Sequence, residues 1–186
     1  MTGEAVDESS ADAGETGSNG ESYGGLFGAY PYAFRRSDSL LFKSYAVVGG
    51  LLALLIALLF TFGLIGVIAS TTGTGGGVFS FSRAFFLSVG LLVVFPLLAP
   101  VLSVARRHRR VGSNTRYDAA IASAGYLFVL TLYLALLIST PPEQQQAVSG
   151  VYAPVVEFFY ALPAVTGVVP PVIGAAAVYA AHRLTR

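Results

Sequence analysis

The sequence predicts an all-α polytopic membrane protein, a bundle of four transmembrane helices with a short interfacial or re-entrant helix. Composition is the first reason. Of 186 residues 54% are hydrophobic and 11% charged, with a mean hydropathy of +0.68, whereas soluble domains carry about 25% charged residues. The apolar residues are also gathered into runs near the length of about 20 residues that a helix needs to cross a bilayer. Finally, the cations collect in the segments between alternate runs.

The chain opens on an acidic segment. Residues 1–22 hold Glu4, Asp7, Glu8, Asp12, Glu15 and Glu21 with no Lys or Arg, so the net charge of +1 conceals an acidic start and a basic remainder. Rich in Gly, Ser and Ala, this stretch cannot bury enough apolar area to offset its ordering entropy and reads as a disordered tail. A secretory signal begins basic, so the first apolar run is expected to stay in the mature protein. The sequence has no Cys, which removes disulfides, thiolate metal sites and cysteine-linked lipid anchors and leaves membrane attachment to the helices.

Residues 23–43 mix rings and cations. Tyr23, Phe27, Tyr30, Tyr32 and Phe34 lead into Arg35, Arg36, Asp38 and Lys43, a pattern suited to headgroup depth. Gly24, Gly25, Gly28 and Pro31 argue against one regular helix through this juxtamembrane segment.

Span one covers about 45–68, where fifteen Leu, Ile, Val or Phe residues occur without a charge. At roughly −0.3 to −0.6 kcal/mol each, they contribute on the order of −5 to −9 kcal/mol to insertion before Gly and polar costs. A Gly-rich connector, 71–82, follows. It lacks the Lys-Ser/Thr of a phosphate loop and no strand precedes it, so it reads as a flexible turn. Span two, about 84–105, contains Pro96 and Pro100, which predict a bend near Phe95. Span three, about 119–140, is opened by Asp118, read as its cap, and closed by Pro141-Pro142. The remaining stretch, 147–181, is too short for two crossings and a turn. It divides into an interfacial helix at about 151–162 and span four at about 164–181, interrupted by Pro170-Pro171; one longer kinked helix from about 154 to 181 is the rival reading.

Charge distribution tests the crossing number. Arg35, Arg36, Lys43, Arg106, Arg107, Arg109, Arg110, Arg116, Arg183 and Arg186 fall on one side of four crossings and Arg83 alone on the other. Such an excess marks the cytoplasmic side, which places a multi-pass protein in the cell membrane with both termini in the cytoplasm.

Arg106-Arg107-His108-Arg109-Arg110, with Arg116, is the sharpest local motif. It reads as an orientation signal and as a contact for anionic headgroups of the lipid bilayer. Nucleic acid is not an expected partner, because no aromatic side chains interleave with the arginines to stack on bases. His108 and His182 are read as surface residues, since a metal site needs several convergent ligands. No Gly-x-Ser-x-Gly elbow surrounds a serine. Neither catalytic residues nor a cofactor can be named.

Four polar residues fall in or beside apolar stretches. Glu157 in the interfacial helix would be costly in hydrocarbon and mark a path, but near the interface it costs little. In span three Tyr126 and Tyr133 stand seven apart on one face, with Thr131 between them, and are expected to bond to neighbouring helices. Gly174, Ala177 and Ala181, with Ala176 and Ala180, give span four small surfaces that permit close helix approach.

The segment from Gly28 to Tyr45 (Gly-Ala-Tyr-Pro-Tyr-Ala-Phe-Arg-Arg-Ser-Asp-Ser-Leu-Leu-Phe-Lys-Ser-Tyr), with the acidic tail before it and the Arg-rich loop after span two, resembles an uncharacterised family of small polytopic membrane proteins from halophilic archaea. That resemblance implies no activity. It does imply a cytoplasm of several molar salt, where a Debye length below about 3 Å would leave the arginine run only direct contacts.

These features lead to a non-catalytic partner-binding or scaffold subunit, working with a membrane-protein partner or as a homo-oligomer. A small-solute or ion transporter is the alternative, motivated by the proline-broken spans. A lipid-acting membrane enzyme is a third reading, for which no residue set presents itself.

Overall fold

The computed structural model describes residues 25–71 and 78–185. The acidic tail, the glycine run 72–77 of the connector and Arg186 lie outside the described residues. The protein is all-α, with no strand among the described residues. Its helices are α1 (Gly25–Arg36), α2 (Leu40–Thr71), α3 (Val78–Leu91), α4 (Val94–Arg110), α5 (Thr115–Ile138), α6 (Ala153–Tyr160) and α7 (Val169–Leu184). Four stretches are long and apolar enough to cross a membrane: Leu40–Ser70, Phe81–Arg110, Thr115–Ile138 and Ala164–Leu184.

α1 forms in spite of its glycines and proline, correcting the expectation that they prevent a regular helix there. Ala29 and Ala33, four apart, are fully buried, and Pro31 lies on the exposed side. The helix packs chiefly on α4. It is the serines that break the path between α1 and α2. The Ser39 amide donates to Ser37 Oγ (3.2 Å), and Ser39 Oγ in turn accepts from the Phe42 amide (3.3 Å), capping the start of α2.

α2 is 32 residues long, about 48 Å at 1.5 Å per residue, and exceeds a hydrocarbon core of about 30 Å. Span two is two helices, and the break lies at Leu92–Val93, upstream of the expected bend at Phe95. Pro96 has no N–H to offer the Leu92 carbonyl and its ring crowds the turn before it. That carbonyl accepts instead from the Phe95 amide at 3.2 Å, while Leu92 and Val93 bond three residues back to Val89 and Gly90. Pro100 sits within α4.

Asn114, not Asp118, caps α5: its side chain accepts from the amides of Arg116 (3.0 Å) and Tyr117 (3.2 Å). Gly112 just before it takes φ +97°, the left-handed turn conformation that glycine permits. At the far end Pro141 and Pro142 lie just beyond α5, which stops at Ile138. α6 ends at Tyr160, a 3-10 turn covers Ala164–Val168, and α7 starts at Val169. The rival single helix from 154 to 181 does not form. Pro170 and Pro171 open α7 rather than interrupt it, since the first helical turn has no intrahelical use for their missing N–H groups.

α5 is the hub, packed on α7, α2 and α4. Gly174 of α7 lets that helix settle against Thr131 and Phe128, where a Cβ would collide. Ala177 and Ala181 are half-buried on the same helix, while Ala176 and Ala180 face outward. The fully buried Tyr45 ring of α2 lies against Gly125 of α5 and donates to the Leu97 carbonyl of α4 at 2.8 Å. One side chain thus joins three helices.

Candidate functional site

Four separate segments converge at one end of the bundle: the α1–α2 junction, the C-terminal turns of α4, the first turn of α5 and the end of α7. The helical stripe Leu97, Val101, Val104, Ala105 and His108 turns one face of α4 inward and carries His108 with it. The expectation that His108 is a surface residue is therefore corrected. It is 6% exposed, and its Nε2 lies 3.0 Å from Oδ1 of Asp118, a fully buried residue. Because a carboxylate accepts, Nε2 carries the hydrogen. The other carboxylate oxygen, Oδ2, accepts from Ser37 Oγ at 2.6 Å.

Ser, His and Asp meet here, but in the wrong order for nucleophilic catalysis. In an acyl-transfer triad the imidazole bridges serine and carboxylate. Here the carboxylate bridges the other two, and the serine proton is committed to it. The arrangement ties α1–α2, α4 and α5 together.

Beside this tie lies a cavity of about 540 Å³, lined by Ser103, Arg106, Arg107, Arg110, Tyr117 and His182 among others. The Arg107 guanidinium lies 4.2 Å from the centre of the Tyr117 ring and donates through Nη1 to the Thr185 carbonyl at 3.0 Å. The Tyr117 hydroxyl is 2.6 Å from His182 Nδ1. His182 is thus half-buried and engaged, not a free surface group. The Nε of Arg107 and the Nδ1 of His108 are buried without a hydrogen-bond partner among the described residues.

Of the arginine motif, Arg106, Arg109, Arg110 and Arg116 are exposed and Arg107 is half-buried. Arg106, Arg107 and Arg110 share the cavity, whereas Arg109 and Arg116 do not line it. The intramembrane polar candidates stay apart from it and from one another. Tyr126 donates to Ser44 Oγ of α2 at 2.9 Å and meets the Tyr45 ring edge-on at 5.3 Å. Tyr133, two turns further along, is 60% exposed. Thr131 is buried and donates to the Phe128 carbonyl at 2.6 Å. Glu157 is exposed on α6. Among the described residues no three metal-ligating side chains gather.

Sequence reasoning missed Ser37, Asp118 and His108 as a unit. Helical spacing held part of the signal, since His108 lies eleven and seven residues after the buried Leu97 and Val101. Ser37 carried none, being 81 positions from its partner.

Neither the curated proteins nor the solved structures contain a match to this chain. A family model does match, over residues 8–186, nearly the whole length. The chain therefore belongs to the family described as a domain of unknown function, DUF8056.

Proposed function

We propose that this chain is a non-catalytic subunit of the cell membrane, with both termini cytoplasmic, that binds a second membrane-spanning protein along the arm formed by α2 and α3. The observation that carries this reading is that α3 packs substantially on α2 alone, among the described residues, while α2, α4, α5 and α7 share a common interior. Beyond Ile56, α2 leaves the shared core and pairs with α3, Phe60 lying against Gly90 and Leu87 against Gly63. Large apolar side chains cover the rest of the arm, including Phe62, Ile65, Phe81, Phe85 and Phe86.

Exposure to lipid alone does not call for a partner, because lipid tails are as apolar as leucine. The arm differs in being two helices wide and rooted at the Leu92–Val93 break, so helix packing on one side alone fixes its position. A partner helix would supply the second side. Asp118, the one buried carboxylate among the described residues, has both oxygens held in bonds between segments, which favours a structural role for it. The cytoplasmic placement rests on the excess of arginine at the end where α4 and α7 finish.

A photo-crosslinking residue at Phe62 or Phe86, read in native membranes, tests this. Protein adducts at both positions, with only lipid adducts from the outward-facing Leu130 of α5, are the expected result. Lipid adducts at all three, together with mild-detergent purification that yields the chain alone as a monomer, would overturn the proposal.

A further inference from the structure

We propose that the cavity between the C-terminal ends of α4 and α7 is a binding site for a phosphate group, taken either from an anionic lipid headgroup or from solution. This goes beyond the partner-binding reading and does not rest on it.

Size is the first consideration. At about 540 Å³ the cavity falls within the range of about 300–1,000 Å³ typical of small-molecule sites, and it holds a phosphate with room for what the phosphate is attached to.

Charge decides the class of ligand. Among the described residues, Arg106, Arg107 and Arg110 line the cavity and no carboxylate does. A bland explanation is available, since arginines at helix C-termini offset the negative ends of the helix dipoles. Magnitudes show that this is insufficient: two helix ends contribute about half a negative charge each, which leaves about two positive charges from three guanidiniums. A phosphate monoester carries about −1.5 to −2. The surplus matches one such group.

Arg107 supplies preorganisation. Its partners, the Thr185 carbonyl and the Tyr117 ring, are both neutral, so they fix the guanidinium without cancelling its charge. Its Nε–H is buried with no acceptor among the described residues, an arrangement that costs free energy and that a small shift of the guanidinium onto an anion in the cavity would relieve. Arg106 and Arg110, exposed at the rim and four apart on one helix face, can close on the same anion, and planar forks suit phosphate oxygens. Ser103, one turn deeper on α4, and His182 with Tyr117 add polar groups to the wall.

Position makes a lipid a natural source. The cavity lies where the apolar part of span two gives way to arginines, which is headgroup depth, and basic pockets between membrane helices take anionic headgroups.

The test uses the full chain in nanodiscs of phosphatidylcholine. One arm titrates inorganic phosphate and reads phosphorus NMR line broadening; the other adds a minor fraction of phosphatidic acid or phosphatidylglycerol and counts retained anionic lipid by native mass spectrometry. The double variant R106Q/R110Q removes two exposed charges from the rim, and its thermal midpoint should match the parent. Affinity for whichever probe binds should fall by about tenfold or more, as expected for two lost charge-assisted hydrogen bonds. A matched control, R35Q/R36Q, removes two exposed charges that do not line the cavity and should change affinity by less than about threefold, because surface charge is screened. Binding of phosphate in neutral discs that R106Q/R110Q abolishes assigns a soluble ligand. Retention of anionic lipid alone, lost in the same variant, assigns a headgroup. Equal losses in both double variants, or no binding by either probe, would overturn the proposal.

Discussion

His108 of α4 and Asp118 of α5 are ten residues apart in sequence and 3.0 Å apart in space, both buried, and their contact closes the Gly112 turn between the two helices. The carboxylate also holds Ser37, so the α1–α2 junction depends on it. Removing one partner strands the other. Asp118→Ala leaves two buried donors, Ser37 Oγ and His108 Nε2, without their acceptor and should destabilise the protein by about 2–6 kcal/mol, about 1–3 for each. Ser37→Ala, which leaves Asp118 Oδ2 without its donor and the Ser39 amide without its acceptor, should cost about 1–3 kcal/mol. Unfolding in mixed micelles measures both, and an Asp118→Ala protein as stable as the parent would refute the structural role.

Two glycines in transmembrane helices should respond oppositely to the same change. At Gly125 a Cβ would collide with the Tyr45 ring, which is itself held by the Leu97 carbonyl, so Gly125→Ala should cost about 1–3 kcal/mol through overpacking. At Gly66 a Cβ meets nothing within 4 Å. There the substitution gains helix propensity, up to about 1 kcal/mol. The difference in sign, read from unfolding midpoints, checks the packing of α5 on α2.

How much of this was legible in the sequence depended on whether the information was local. The four spans could be read because a run such as 45–68 contains its own reason to leave water. Proline positions were legible as breaks but not in their exact effect: Pro96 acts on the turn before it, and Pro170-Pro171 fit a first turn at no cost. Charge misled at His108, where four neighbouring arginines suggested a solvated segment while the spacing from Val101 and Val104 placed the imidazole on the buried stripe. The contact of Ser37 with Asp118 joins segments whose proximity only the packed bundle establishes.

Tyr30 gives the fold an alkaline limit. Its hydroxyl donates to the Ala46 carbonyl at 2.7 Å, and burial raises its pKa from 10.0 to about 12. In the unfolded chain the phenol ionises near its ordinary value, so between about pH 10 and pH 12 the unfolded state is the first to lose its proton. The stabilisation from this group is therefore fully present below about pH 10 and is lost as pH rises through the folded value. Tyr30→Phe should be less stable by about 1 kcal/mol at neutral pH, for the lost hydrogen bond. It should also show a shallower decline above pH 10 than the parent. Parallel declines would exclude Tyr30 as the source.

Two hydrogen bonds fix which ends of the helices share a membrane face. Ser37 reaches Asp118 at 2.6 Å and Arg107 reaches the Thr185 carbonyl at 3.0 Å, and neither bond can be made across a hydrocarbon core of about 30 Å. The α1–α2 junction, the α4–α5 turn and the end of α7 therefore lie at one end of the bundle, and four crossings would put Arg83 and the segment after α5 at the other. A chain without Cys suits single-cysteine labelling. Asp38→Cys, Arg116→Cys and Leu184→Cys, all at exposed positions, should react with an impermeant maleimide from the same side. Gln146→Cys, exposed beyond α5, should react from the opposite side. If Asp38→Cys and Leu184→Cys were labelled from different sides, an odd number of crossings would separate them, and the Ser37–Asp118 and Arg107–Thr185 bonds could not both form.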